Sequence, residues 1–370
     1  MEFRLDKDTN PKIILKANNL KLDDRWILRN SGFFMQGEEG RSVKAYVNTM
    51  PQDKKLQRTR LALAEDYFLD RMVLAKTICY DKADLHNADR IRYKRGILKA
   101  QIKILNDLGS NMLPEPLDYF EITNDFDRFG LREAGEFKDT EPVLILDFIP
   151  GEVLADKLHN HYDRTFYRKD GTEHFTKSVD KINIEAVMRL AGDILAFEED
   201  MYEKGYAYTA LSPDHIILLA DNKPRFTGLG WICPISDDRY DTGHINYGRR
   251  LKKCSAPELD QSAPDAGRGA SVKANVAFGL GLLITSLIFA RVRVEEYASK
   301  CGDYGGIDEI MDHRQIREAC GKKGTQVCDL LAALLEGNPS QRLTDFQEIA
   351  ERLAVISGDK IVRRNDKNNI

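Results

Sequence analysis

The sequence predicts an α+β chain in two unequal parts, strand-rich with one principal helix before about residue 149 and mainly helical after it. Three observations carry that expectation. Apolar residues come in short strand-like blocks up to Ile149, they follow a helical period through most of 150–356, and Val276–Ala290 is almost wholly apolar. A helix apolar on every side is the buried centre of a large helical part.

In chain order, residues 1–25 are polar and weakly patterned, and are expected to lie outside the core. Trp26–Phe34 and Ser42–Val47 read as strands joined by a turn bearing Gly37 and Gly40. Gln52–Asp70, rich in Leu, Ala, Arg and Glu, reads as helix, and Met72–Ile78 returns to strand character. A long helix with Ile97, Ile102, Leu105 and Leu108 on one face stops at Gly109, ahead of Pro114 and Pro116. Leu117–Ile122 and Val143–Ile149 are strand-like and lead into Pro150-Gly151. The helical pattern that follows is interrupted by a short strand pair, Ile216–Leu219 and Arg225–Thr227, and ends in the charged, Asn-rich Asp359–Ile370. These limits divide the chain into an extension (1–25), a first lobe (26–149), a second lobe (150–358) and a flexible tail (359–370).

The chain has 370 residues, 42% hydrophobic and 31% charged, the composition of a globular protein with a large core. Its net charge of -4 supplies no general attraction to nucleic acid or acidic lipid, so neither partner is expected. Met1–Asn10 carries five charges and no apolar run, which does not suit a secretory signal, and the expected location is the cytoplasm. Val276–Ala290 falls short of the roughly 20 residues of a spanning helix. The six cysteines show no C-x-x-C spacing and are expected as free thiols. His159 and His161, in a segment read as a polar loop, have no further ligand at metal-site spacing.

Several segments share a register with one known family. Gly205-Tyr-Ala-Tyr-Thr-Ala-Leu-Ser-Pro-Asp-His-Ile-Ile-Leu resembles the protein-kinase catalytic loop, H-R-D-L-K-P-E-N-I-L, and Phe226-Thr-Gly-Leu-Gly-Trp resembles the strand entering D-F-G. Ser255-Ala-Pro-Glu258 matches the A-P-E end of the activation segment, and Asn338-Pro-Ser-Gln-Arg342-Leu-Thr344 resembles the late D-P-x-x-R-x-T motif. Val143-Leu-Ile-Leu-Asp147-Phe148 is similar to the last small-lobe strand and the hinge, and Ala277-Phe-Gly-Leu to the start of the buried helix, with Ala274 where the family keeps an Asp. Order and spacing carry the resemblance, over about residues 95–355. It implies a bilobal protein kinase-like fold, with a small β-rich N-lobe containing one main helix and a larger helical C-lobe. It also implies a buried ion pair between Glu258 and Arg342, and a nucleotide cleft near Asp147 and Phe148.

The same resemblance implies that the chemistry is missing. Tyr208, Thr209 and Ala210 stand at the His, Arg and Asp positions of the catalytic loop, His215 at its Asn, and Gly228 at the Asp of D-F-G. Phosphoryl transfer is mostly positioning and charge neutralisation, by a base Asp, metal-holding groups and a lysine. Ala210 accepts no proton, Gly228 offers no carboxylate to Mg²⁺, and the His215 nitrogens suit transition metals better. Gln101 occupies the helix position of the glutamate that grips the lysine, and an amide hydrogen-bonds without neutralising charge. The lysine is Lys76 by order of elements or Lys44 by its preceding residues, with Lys76 preferred. Asp214 and Asp221 are the only carboxylates near the altered loop, and such residues commonly cap turns.

The expected function is therefore a pseudokinase that binds a protein, such as an active kinase or other enzyme, as scaffold or allosteric regulator. Its alternatives are a divergent phosphotransferase or nucleotidyltransferase with a remodelled site, and a nucleotide sensor. No cofactor is expected, with ATP bound without Mg²⁺ left open.

Overall fold

The computed structural model describes residues 2–5, 13–16, 20–21, 26–28, 59–78, 87–123, 140–161, 165–167, 173–175, 183–209, 211–244, 255–259, 270–289 and 313–359. Its strands are β1 (Glu2–Leu5), β2 (Ile13–Lys16), β3 (Leu20–Lys21), β4 (Trp26–Leu28), β5 (Thr59–Asp66), β6 (Arg71–Ile78), β7 (Pro116–Thr123), β8 (Thr140–Asp147), β9 (Glu152–Val153), β10 (Thr165–Tyr167), β11 (Glu173–Phe175), β12 (Tyr206–Tyr208), β13 (Ile216–Leu218), β14 (Pro224–Phe226), β15 (Ile232–Ser236) and β16 (Arg239–Tyr240). The helices are α1 (Ala88–Leu108), α2 (Leu154–His161), α3 (Ile184–Glu203), α4 (Val272–Phe289), α5 (His313–Cys320), α6 (Gly324–Leu334) and α7 (Phe346–Ser357). Small antiparallel sheets and separate helices make the chain α+β.

The chain divides into two compact units, the first Met1–Val153 with Ile217–Leu219 and Arg225–Gly230, the second Leu154–Ile216 with Ala220–Pro224 and Trp231–Ile370. The first unit is built on a six-stranded antiparallel sheet in the order β3-β4-β5-β6-β8-β7. β6 lies inside that sheet, and its Val73, Leu74 and Ala75 are fully buried. Helix α1 packs on β6, β7 and β8. The Asn87 carboxamide caps its first turn by accepting the Arg90 N–H at 3.0 Å, and Gly109 ends it in the left-handed region (φ 51°) that a Cβ disfavours.

Gln52–Asp70 was expected to be helical, but its described part, from Thr59 onward, is β5 and a turn. β5 pairs residue for residue with β6 from Thr59↔Ile78 to Asp66↔Arg71, and also with β4. Two ladders outweigh the small helix preference of Leu, Ala and Glu. Within residues 1–25, β3 joins the main sheet through Leu20↔Leu28 and Lys21↔Ile27, and β1 pairs with β2. Ser42–Val47, Gly37, Gly40 and Lys44 lie outside the described residues.

In the second unit α3 packs on α4 and α7, while α6 packs on α4, α5 and α7. Every residue of α4 from Ala274 to Ile288 is buried. Its two hydroxyls are satisfied within the helix, Thr285 Oγ1 donating to Gly281 O and Ser286 Oγ to Leu282 O, each at 2.9 Å. Among the described residues no helix is long and apolar enough to cross a membrane. Cys233, Cys320 and Cys328 are buried free thiols.

Gly281 is where α6 and its end approach α4: a Cβ there would lie 2.8 Å from Leu335 Cδ2 and 3.1 Å from Leu334 Cβ. Leu334 and Leu335 are themselves fully buried, so neither side chain has room to swing away. Gly281→Val is expected to destabilise the fold by about 1–3 kcal/mol through overpacking, read as a lower urea midpoint.

Candidate functional site

The segment resembling a catalytic loop begins where α3 ends. β12 runs antiparallel to β15, with Tyr206↔Pro234, Ala207↔Cys233 and Tyr208↔Ile232 in register. Tyr208 is buried edge-on against Phe197 at 6.3 Å between ring centroids, and its N–H donates to Glu198 Oε2 at 3.3 Å. Thr209 is buried too, its N–H and hydroxyl both donating to Trp231 O, at 2.7 and 2.8 Å. Tyr208 and Thr209 are thus both packed into the interior. Ala210 lies outside the described residues.

Ser212 opens a short 3₁₀ turn by accepting the Asp214 N–H, and the His215 N–H closes it onto Ser212 O at 2.9 Å. The His215 ring is buried against Trp231, 5.7 Å between centroids. Asp214 meets the Ser212 hydroxyl at 3.2 Å, and Asp221 caps its own turn by accepting the Lys223 N–H at 3.1 Å. His159 and His161 fall in helix α2 rather than a loop, and no cluster of metal-binding side chains occurs among the described residues.

The segment resembling A-P-E is held from several sides. Ser255 Oγ donates to Thr209 O at 3.0 Å, and the Ala256 N–H donates to Asn275 Oδ1 at 2.9 Å. Asn275 Nδ2 in turn donates to the Tyr240 hydroxyl at 2.7 Å. Glu258 receives both arms of Arg342, Nη1 at 2.6 Å and Nη2 at 3.3 Å. The Arg342 side chain is 0% exposed and donates also to Ala274 O and Glu336 O, with its guanidinium 4.8 Å from the Phe278 ring centroid. One cation therefore joins the start of α4, the end of α6 and the 255–259 segment.

Asn275 is the residue that sequence reasoning missed. Attention went to Ala274, where an Asp was expected, while the neighbouring position supplies the buried polar group. A single carboxamide within the apolar run Val272–Phe289 was the available signal.

In the first unit Lys76 is buried on β6, with Leu61 and Leu144 as its cross-strand partners. Gln101 on α1 is 0% exposed, and neither Nε2 nor Oε1 has a hydrogen-bond partner. Asp147 ties strands together: its carboxylate accepts the Glu115 N–H and meets Arg225 Nη2 at 3.4 Å, while Arg225 also donates to Leu113 O at 2.9 Å. Burial raises the Asp147 carboxyl above the ordinary range against the lowering pull of the Glu115 N–H and Arg225. The neighbouring Phe148 is half-buried, and Gly228 takes a left-handed backbone at φ 72°.

None of the described motif positions 208, 209, 215 and 228 carries a carboxylate. No protein-family model matches the chain, and no curated protein matches it.

Proposed function

We propose that the chain is a catalytically inactive protein kinase-like domain, a pseudokinase, whose two units are the small and large lobes of that fold and which acts by binding another protein. The observation that carries this reading is the Glu258–Arg342 ion pair. It joins two motifs 84 residues apart that resemble the family independently. Beside it stand residues unsuited to phosphoryl transfer. Tyr208 and Thr209 are packed as core, His215 lies against Trp231, and Gly228 has no side chain to hold Mg²⁺.

Nucleotide binding without metal is the second reading, favoured by the unsatisfied, wholly buried Gln101 carboxamide and the buried Lys76 ammonium of the same unit. A buried polar group without a partner is costly unless a ligand or water completes it. A thermal-shift titration with ATP, with and without Mg²⁺ or Mn²⁺, separates the readings. The scaffold reading expects no metal-dependent rise in Tm and no transfer of label from γ-³²P-ATP. A metal-independent rise alone favours the sensor, and metal-dependent stabilisation with label transfer defeats the pseudokinase.

A further inference from the structure

The turn joining β5 to β6 is built unlike an ordinary hairpin tip. Hairpin turns are usually polar, supplied by Gly, Asn and Asp. Here three consecutive large apolar residues point into solvent, Tyr67 at 62%, Phe68 at 66% and Leu69 at 57% exposure, with Met72 beside them at 37%. They are held there by a group that is itself fully buried. Asp66, at 0% exposure, accepts the Phe68 and Leu69 N–H groups at 3.2 and 3.3 Å on one oxygen and Arg71 Nε at 3.3 Å on the other. Asp70 closes the turn with a left-handed backbone at φ 47°. The carboxylate thus fixes the backbone in the form that presents the apolar side chains outward.

We propose that this tip is a docking surface for a folded protein partner with an apolar pocket rimmed by basic side chains. Exposed contiguous apolar side chains mark interaction surfaces, and paired aromatics on a rigid turn are the usual anchors of such contacts. Charge selects the partner. The sequence from Glu65 to Met72 carries three carboxylates (Glu65, Asp66, Asp70) and one guanidinium (Arg71), a net charge of -2. That sign opposes an anionic bilayer, which interfacial segments meet with Lys and Arg. It equally opposes a second copy of the same tip. The inference is independent of kinase-like ancestry, because it rests on the exposure and charge of one hairpin.

The test uses the full chain with benzoylphenylalanine in place of Phe68, irradiated in extract of the cells that produce the protein, and a control carrying the same probe at the exposed Tyr93 of α1. The protein joined through position 68 and not through 93 is then purified, and its affinity for the wild type and for Phe68→Asp/Leu69→Asp is measured by calorimetry. The expected result is one discrete adduct, affinity at least about 100-fold lower for the double variant, and weaker binding at high salt. Because the substituted side chains are solvent-exposed, the variant's melting temperature is expected to match the wild type's, so lost binding is not lost folding. No adduct, an adduct of the chain with itself, equal affinity for the variant, or cosedimentation of the wild type with phosphatidylserine vesicles overturns the proposal.

Discussion

Replacing Arg342 with Ala is expected to cost the fold at least about 3–5 kcal/mol, the penalty typical of breaking a buried ion pair from one side. The side chain is 0% exposed and its partner Glu258 only 12% exposed, so water does little to compensate either group. The substitution also deprives Ala274 O and Glu336 O of their donor and removes the cation from the Phe278 ring. Glu258→Ala strands the guanidinium instead, although the two carbonyls soften that loss. The pair Glu258→Leu/Arg342→Met is expected to recover part of the stability, because replacing both charges removes their desolvation cost along with their attraction. Urea denaturation of the four proteins compares these losses. A result under about 1 kcal/mol for Arg342→Ala would show that the pair is not the tie described here.

The second large effect lies in α3. Glu198 is 1% exposed, one of its oxygens accepts the Tyr208 N–H, and the other has no partner. Burial pushes its carboxyl from 4.5 up to about 8, only partly opposed by the Tyr208 hydrogen bond. Between those values the folded chain keeps a proton that the unfolded chain has released. The unfolded state then binds fewer protons, so this group's stabilisation is whole below pH 4.5 and is lost as pH rises to about 8. The slope approaches about 1.4 kcal/mol per pH unit, several kcal/mol over the window. Glu198→Gln keeps an acceptor for the Tyr208 N–H and cannot ionise. It is expected to match the wild type near pH 4 and to exceed it by several kcal/mol at pH 8, as measured by denaturation across the range. Parallel pH profiles for the two proteins would refute the assignment.

How much of this was legible in the residues depends on the distance over which each interaction acts. α1 could be read from its apolar face and Gly109, and β6, β7, β8 and α4 from blocks of apolar residues, because burial demands those patterns wherever the element is placed. β5 was misread because Leu, Ala and Glu lean towards helix locally, while the deciding ladders come from β4 and β6. The hairpin tip was hidden by the same error, since Tyr67, Phe68 and Leu69 are conspicuous only once the chain turns there. The partnership of Asp359 with Arg189 is equally beyond a local reading: its carboxylate meets Arg189, 170 residues away, at 3.1 Å, and also accepts from the Ser357 hydroxyl at 2.8 Å.

The sequence by itself determined the α+β class, the principal helices, the positions that lack carboxylates and the two motifs that supply Glu258 and Arg342, since these follow from residue type and short-range period. Tertiary structure alone decided that Asn275 bridges Ala256 and Tyr240, that Glu198 is sealed from water, and that Asp66 turns inward while Tyr67–Leu69 turn out. The physical reason is that burial is set by the elements packed around a group, and that Asn275 meets Ala256 and Tyr240 from distant stretches of the chain.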